Sequence, residues 1–420
     1  MAQTRQLRVG IAGLGVAAMN LMPELAAQSL VTITAAADPR QVARDKFASE
    51  FGGETYTDIE DLCRSPQVDL VYICTPTHLH AQHAIMAAEQ HKHIVADKPM
   101  ALTLEECDAI ISAVDRNGVK MIVGHTQSLD RPMVKMAEIV NSGQLGKRLM
   151  LNTFAHMDWV YRPRGEDEFD LSKGAGVTFR QGPIQVDILR MLGGGMVRSV
   201  RGSTSATDPE RGFDGSYIAY LEFEDGTPAT MAYTGYGHFD TSEITYTLGL
   251  QGFPISPEIG VEAHRQTAGF ATRQEEFDFK ESTRYGGARS RPAREGVSAT
   301  DRAGNRKRHA FYGFTLASCE RGDVRQYPEG LILYKDDQRQ ELPVDAGDGF
   351  TQRYTTTEVE EIYHAITNDA PVAMHDARWH KATLEVLLGV MQSSRERREI
   401  AMHHQTAYKG PAFAGQSKAL

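Results

Sequence analysis

A glycine turn set between an apolar strand and a helix constrains this chain more than any other feature. Gly13-Leu14-Gly15-Val16-Ala17-Ala18 follows the short apolar run Leu7 to Ala12, and Ala17 to Gln28 reads as the helix it opens. Gly13 permits a tight turn, Gly15 lets the backbone approach a diphosphate, and Ala18 keeps the helix close to the sheet. The helix N-terminus then faces the phosphate charge. Val31 to Ala37 reads as the next strand, and Asp38 ends it at the interval where a carboxylate receives ribose hydroxyls. An acid there repels a 2′-phosphate, which favours NAD over NADP, while Arg40 just beyond is of the type that binds that phosphate.

The pattern continues as alternating strands and helices. Val68 to Cys74 is a nearly continuous apolar strand, as a parallel sheet covered on both faces requires. Ala81 to Glu89, His93 to Ala96, Thr103 to Val114 and Val119 to Gly124 extend the alternation, which implies a doubly wound parallel sheet. After about Gly146 the texture changes. Arg148 to Phe154, Val197 to Ser205, Ser216 to Glu224, Ala229 to Tyr236 and Gly330 to Tyr334 read as longer strands, several joined by turns such as Glu224-Asp225-Gly226. The expected architecture is therefore α/β: residues 1–125 form a Rossmann domain and 126–420 an α+β domain with a large, mainly antiparallel open sheet. Thr355 to Asn368 and Trp379 to Arg395 are expected as late helices of the second domain, and 280–308, rich in Arg, Gly, Ser and Ala, as a mobile loop.

With 420 residues, two domains are expected. The net charge of -10 argues against a nucleic-acid binder. No segment approaches the roughly 20 apolar residues of a membrane span, and the amino terminus has no apolar leader core. Cys63, Cys74, Cys107 and Cys319 show no paired spacing, in keeping with a reducing cytoplasm.

Two further turns fall at the carboxyl edge of the first sheet, where such sheets bind ligands. Thr75-Pro76-Thr77-His78 follows the fourth strand and is expected to shape the nicotinamide side of the cofactor cleft, with His78 and His80 beside it. Their spacing with His83 resembles a metal cluster only superficially; polar residues at a loop-to-helix junction explain them, and no metal is expected. Asp97-Lys98-Pro99 follows the next strand. A partly desolvated lysine near a cationic nicotinamide has a lowered pKa and can exchange a proton with a substrate hydroxyl, with Asp97 to orient it.

Here the chain resembles the glucose–fructose oxidoreductase/inositol dehydrogenase (Gfo/Idh/MocA) family over nearly its whole length. The residues that carry the resemblance are the Gly13 turn, Thr75-Pro76-Thr77-His78-Leu79-His80, Asp97-Lys98-Pro99 (usually Glu-Lys-Pro) and Gly143-Gln144-Leu145-Gly146. The resemblance implies a Rossmann domain, a second domain whose open sheet forms homo-oligomer contacts in a dimer or tetramer, and Lys98 as a catalytic residue. Members commonly carry Asp-x-Gly-x-His-x-x-Asp on the active-site helix. This chain reads Arg180-Gln181-Gly182-Pro183-Ile184-Gln185-Val186-Asp187, so only Gly182 and Asp187 match. Isoleucine carries no proton, which leaves Lys98 to act with another group, among them Asp187, His125 or His156, or else leaves activity reduced.

Trp159-Val160-Tyr161-Arg162-Pro163-Arg164, Gly124-His125-Thr126-Gln127-Ser128, and Phe311-Tyr312-Gly313 through Ser318-Cys319-Glu320-Arg321-Gly322 are similar to the branch that oxidises phthalate and chlorobenzoate cis-dihydrodiols. The residues suit such a ligand independently. Trp159 and Tyr161 offer flat apolar faces for a ring, Arg162, Arg164 and Arg180 offer bidentate donors to ring carboxylates, and His156 lies close by in sequence. The expected protein is an NAD-dependent dehydrogenase of a small anionic cis-dihydrodiol. A sugar, inositol or sugar-acid dehydrogenase is the first alternative, and a cofactor-binding protein with impaired catalysis the second.

Overall fold

The computed structural model describes residues 5–124, 126–290, 308–344 and 354–411. Strands β1 (Leu7–Ala12), β2 (Val31–Ala37), β3 (Glu54–Tyr56), β4 (Leu70–Ile73), β5 (His93–Asp97) and β6 (Met121–Gly124) form one sheet in the order β3-β2-β1-β4-β5-β6. Every neighbouring pair is parallel. The crossovers contain α1 (Val16–Ala26), α2 (Gln41–Phe51), α3 (Ile59–Arg64), α4 (His80–Glu89) and α5 (Leu104–Asn117). Strand order reverses between β1 and β4, and the crevice at their carboxyl ends is where open sheets of this kind take a ligand.

Alternation along the strands divides the core into two layers. Val9, Ile11, Tyr72, Val95 and Ile122 pack with Leu21, Met22 and Phe47 of α1 and α2. Ala12, Val71, Ile73, Ile94 and Val123 pack with Ala84, Ala88 and Ile110 of α4 and α5 on the other face. Each fully buried aliphatic side chain contributes roughly 1.5–3 kcal/mol. With both faces covered, β4 is buried at every position, as its apolar sequence requires.

The second sheet contains β7 (Arg148–His156), β8 (Val197–Ser205), β9 (Ser216–Phe223), β10 (Pro228–Thr234), β11 (Phe314–Cys319), β12 (Gly322–Tyr327), β13 (Gly330–Lys335), β14 (Gln338–Pro343) and β15 (Ile400–Ala401). Its order is β14-β13-β12-β11-β7-β10-β9-β8-β15, antiparallel except for the pair β7/β10. The remaining helices are α6 (Arg131–Asn141), α7 (Val177–Arg180), α8 (Gly182–Leu192), α9 (Ile259–Ala268), α10 (Arg273–Thr283), α11 (Tyr354–Thr367) and α12 (Ala377–Glu396). Helices α6, α8 and α12 lie on one face of the sheet. On β9 the inward residues Tyr217, Ala219 and Leu221 are buried, whereas Ile218 and Tyr220 on the opposite face are 60% and 41% exposed.

Two expectations need correction. The helix expected over Thr355 to Asn368 forms, but its apolar residues Val359 and Ile362 pack in the first sheet's core. The loop expected from 280 begins as the last turn of α10, and Tyr285 beyond it is fully buried against α2. Apolar contacts supplied by a distant helix were invisible to local composition. Residues 291–307 of that expected loop, and His125, lie outside the described residues.

Candidate active site

The turn after β1 is shaped for a close neighbour. Gly13 has φ +89°, and a Cβ there would lie 3.0 Å from Thr75 Cγ2 and 3.1 Å from the Cys74 carbonyl carbon, so only glycine fits. Gly15 opens α1 without a side-chain cap, and the first turn of the helix carries no acid. Its backbone N–H groups are thus left for an anion at the positive end of the helix. Ala18 is buried under that first turn. These features fit the diphosphate of a dinucleotide. Asp38 is buried at the end of β2 and accepts from the Leu14 N–H at 2.8 Å. Arg40 closes over it, with Nε 3.0 Å from Oδ1 and Nη2 3.1 Å from Oδ2.

Lys98 leaves β5 at the same edge and is joined to Pro99 by a cis peptide bond. Its Nζ donates to the Arg180 carbonyl at 2.7 Å. Burial lowers its pKa, Asp97 opposes the shift and the Arg180 charge adds to it. Arg180 ends α7 and donates from Nε to the Gly174 carbonyl at 3.0 Å; among the described residues its Nη atoms have no protein partner. An amine whose charged form burial disfavours and a guanidinium that acts on it thus stand at one edge of the sheet.

His80 does not reach toward a cofactor as expected. Its ring is buried, with Nε2 2.8 Å from the Thr75 carbonyl and Nδ1 2.9 Å from the Pro99 carbonyl. It braces the turn after β4, where Pro76 precedes a short 3-10 turn, against the turn carrying Lys98. Thr75 Oγ1 is bonded to His83 Nδ1 at 2.9 Å. Among the described residues His78 Nδ1 is buried without a partner.

Of the three arginines expected to meet an anion, two already have a carboxylate partner. Arg162 places Nε 2.8 Å and Nη2 2.5 Å from Asp158 Oδ1. Arg164 is buried, donates to the Trp159 carbonyl, and meets Glu168 Oε1 at 3.1 Å. Burial pushes the Glu168 carboxyl up, but Arg164 and Lys280 outweigh it and hold it at about 2. The Arg164 guanidinium carbon lies 3.4 Å over the Trp159 ring, and Phe213 meets that ring edge-on, so the indole offers no open face. Tyr161 packs its ring on His264 with centroids 3.7 Å apart. His156 also falls away from the site: it shares the open face of β7 with Phe154, against Phe239, whereas Thr153 and Ala155 point inward. A two-residue strand period decides this placement.

Asp187, expected among the catalytic groups, is completely buried. It accepts from Ser128 Oγ at 2.5 Å, from Trp379 Nε1 and from Thr383 Oγ1 at 3.2 Å, and lies 2.6 Å from His375 Nε2. This is a structural hub joining α8 to α12. With His380 the same residues make a three-ligand cluster, yet the 2.6 Å contact is a shared-proton distance. Ligands 2.0–2.2 Å from a tetrahedral ion stand over 3 Å apart, so the group is read as a hydrogen-bond network. Ile184 is packed in the second sheet's core.

The description "Oxidoreductase family, NAD-binding Rossmann fold" matches residues 7–125, and "GFO/IDH/MocA C-terminal domain" matches 133–249. The chain belongs to the Gfo/Idh/MocA family. It is an NAD-dependent oxidoreductase. A 1-carboxy-3-chloro-3,4-dihydroxycyclohexa-1,5-diene dehydrogenase of Comamonas testosteroni is 28% identical over 93% of this chain and 95% of that protein. A scyllo-inositol 2-dehydrogenase (NAD(+)) of Bacillus subtilis is 28% identical over 65% of this chain and 80% of its own. A crystal structure from Bordetella bronchiseptica RB50, under a general dehydrogenase description, aligns at TM-score 0.85 and 35% identity, covering 94% of this chain and all of that one.

Within this Gfo/Idh/MocA member, sequence reasoning missed the counter-ions. Asp158 stands four residues before Arg162 and Glu168 four after Arg164, a spacing that marks pairs in helical turns and was available as a signal. Lys280 and Tyr285 reach the site region from a remote segment, and no local pattern announces them.

Proposed function

We propose that this oxidoreductase converts a carboxylated cyclohexadiene cis-diol, of the phthalate cis-4,5-dihydrodiol type, to the catechol. The observation that carries the reading is the bond from Lys98 Nζ to the Arg180 carbonyl, with the Arg180 charge felt at the lysine, where the family commonly has an acid. Arg180 binds the ring carboxylate through its free Nη atoms. Lys98, whose charged form burial disfavours, takes the hydroxyl proton at Nζ. NAD, when bound, accepts the hydride from the carbinol carbon. The hydroxyketone then tautomerises, and the gain of aromaticity draws the reaction forward. A second base at Ile184 is dispensable for that reason. The 28% identity to the Comamonas dihydrodiol dehydrogenase over nearly both full chains supports the same reading.

The inositol dehydrogenase relative favours a second reading, oxidation of a polyol or sugar acid. NADH formation from NAD⁺ with phthalate cis-4,5-dihydrodiol, beside myo-inositol and glucose, separates them. Turnover with the dihydrodiol alone is expected; turnover with a polyol alone overturns the first reading, and silence with all three points to impairment at Ile184. We further place the enzyme in the cytoplasm, on its four free, buried cysteines, and in a homo-oligomer, dimer or tetramer, through the open sheet face bearing Ile218 and Tyr220. Among the described residues no helix is long and apolar enough to cross a membrane.

A further inference from the structure

Arg40 leaves the choice of coenzyme open in the sequence, because an arginine beyond the second strand suits a 2′-phosphate as an acid there suits a 2′-hydroxyl. In the structure its guanidinium is held on several sides. Nε and Nη2 meet the two oxygens of Asp38 at 3.0 and 3.1 Å, and Nη2 also donates to the Leu14 carbonyl at 2.6 Å. Nη1 donates to the Tyr285 carbonyl at 3.3 Å, from a turn 245 residues away in sequence.

That turn is firmly seated on α2. Tyr285 is 0% exposed and shares a core with Ala43 and Phe47. Its hydroxyl donates to Glu50 at 2.8 Å, Lys46 Nζ stands 4.9 Å from its ring centre, and the same ammonium donates to Ser290 Oγ at 2.7 Å. Gly286 has φ +84°, and a Cβ there would come within 2.8 Å of the Ala43 backbone. Glycine alone permits this approach.

We propose that the Tyr285-Gly286 turn is a coenzyme-selecting clasp, which holds Arg40 across Asp38 and so makes the site selective for NAD over NADP. A 2′-phosphate beside Asp38 needs a cation to offset the repulsion between two anions. Arg40 could supply it only by swinging off the carboxylate, which breaks its bonds to Leu14 and Tyr285. A neutral 2′-hydroxyl makes no such demand. Tyr285 thus acts on specificity through Arg40, and the inference does not depend on which substrate the enzyme oxidises.

Dissociation constants for NADH and NADPH, read from nucleotide fluorescence on the full chain, test this without turnover. The native protein should bind NADH at least about tenfold more tightly than NADPH. Tyr285→Ala and Gly286→Val release the turn by independent routes, and faster tryptic cleavage after Arg284 or Arg289 reports the release. Each should shrink the NADH preference about tenfold, mainly by tightening NADPH. Adding Arg40→Ala to Tyr285→Ala should abolish that gain. The proposal is overturned by an unchanged ratio in a folded, released variant, by a gain that survives loss of Arg40, or by a native protein that binds NADPH as tightly as NADH. Should one variant fail to fold, the other carries the test.

Discussion

Replacing Asp187 separates a structural hub from a catalytic group. The carboxylate accepts from Ser128, Trp379 and Thr383 and pairs with His375, and it is sealed from solvent. Asp187→Ala leaves these donors buried without an acceptor, at about 1–3 kcal/mol for each one that cannot find another partner. His375 loses its buried partner as well, at a further cost of about the same order. The terms overlap, so a loss of about 5 kcal/mol is expected, comparable with the whole stability of many domains. Asp187→Asn keeps the shape and one acceptor oxygen but turns the other into a donor, and should lose about 2–3 kcal/mol. Urea unfolding followed by tryptophan fluorescence suits the measurement, since one of the two tryptophans, Trp379, is bonded to Asp187. The sign with pH follows from the environment. Burial would raise the carboxyl pKa, but His375, His380 and Ser128 outweigh it and hold it far below the usual carboxylate range. The stabilisation is therefore complete above the ordinary carboxylate pKa and is lost as pH falls toward the depressed folded value. An Asp187→Asn protein with the native urea midpoint and abolished turnover would refute the structural role and restore the catalytic one.

Lys98→Met should lower turnover by at least about 100-fold while leaving NADH affinity intact, as measured by steady-state rates and fluorescence titration. In the native enzyme the rate should rise with pH to a plateau whose midpoint lies below the ordinary lysine pKa, because burial favours the neutral amine; a midpoint at or above that value would argue against Lys98 as the base. Arg180→Gln should raise KM for the carboxylated diol about 10–100-fold with a smaller change in kcat, the loss of one charge-assisted contact. Tyr220→Lys, on the open face of β9, should shift the assembly toward monomer in sedimentation, and an unchanged mass would exclude that face.

The carboxyl-edge crevice was legible in the sequence because each of its parts is local. Gly13 and Gly15 are required by backbone geometry, Asp38 and Lys98 directly follow strands, and continuous apolar character at β4 reports two covered faces. Such signals rest on φ, strand period and helix polarity, which act over a few residues. The identity of the free anion-binding fork did not lie in that local range. Arg162, Arg164 and Arg180 look alike along the chain, yet Asp158 pairs with the first, Glu168 and the Trp159 ring take the second, and among the described residues Arg180 has no carboxylate partner. Likewise His156 was lost to the site by strand parity, and Asp187 by partners on α12 more than 190 residues onward. The sequence by itself determined the parallel sheet, the nucleotide turn and the position of the lysine. Only the tertiary structure decided which charged and aromatic side chains remain free to meet a ligand, because desolvation and pairing depend on neighbours that the chain brings together from afar.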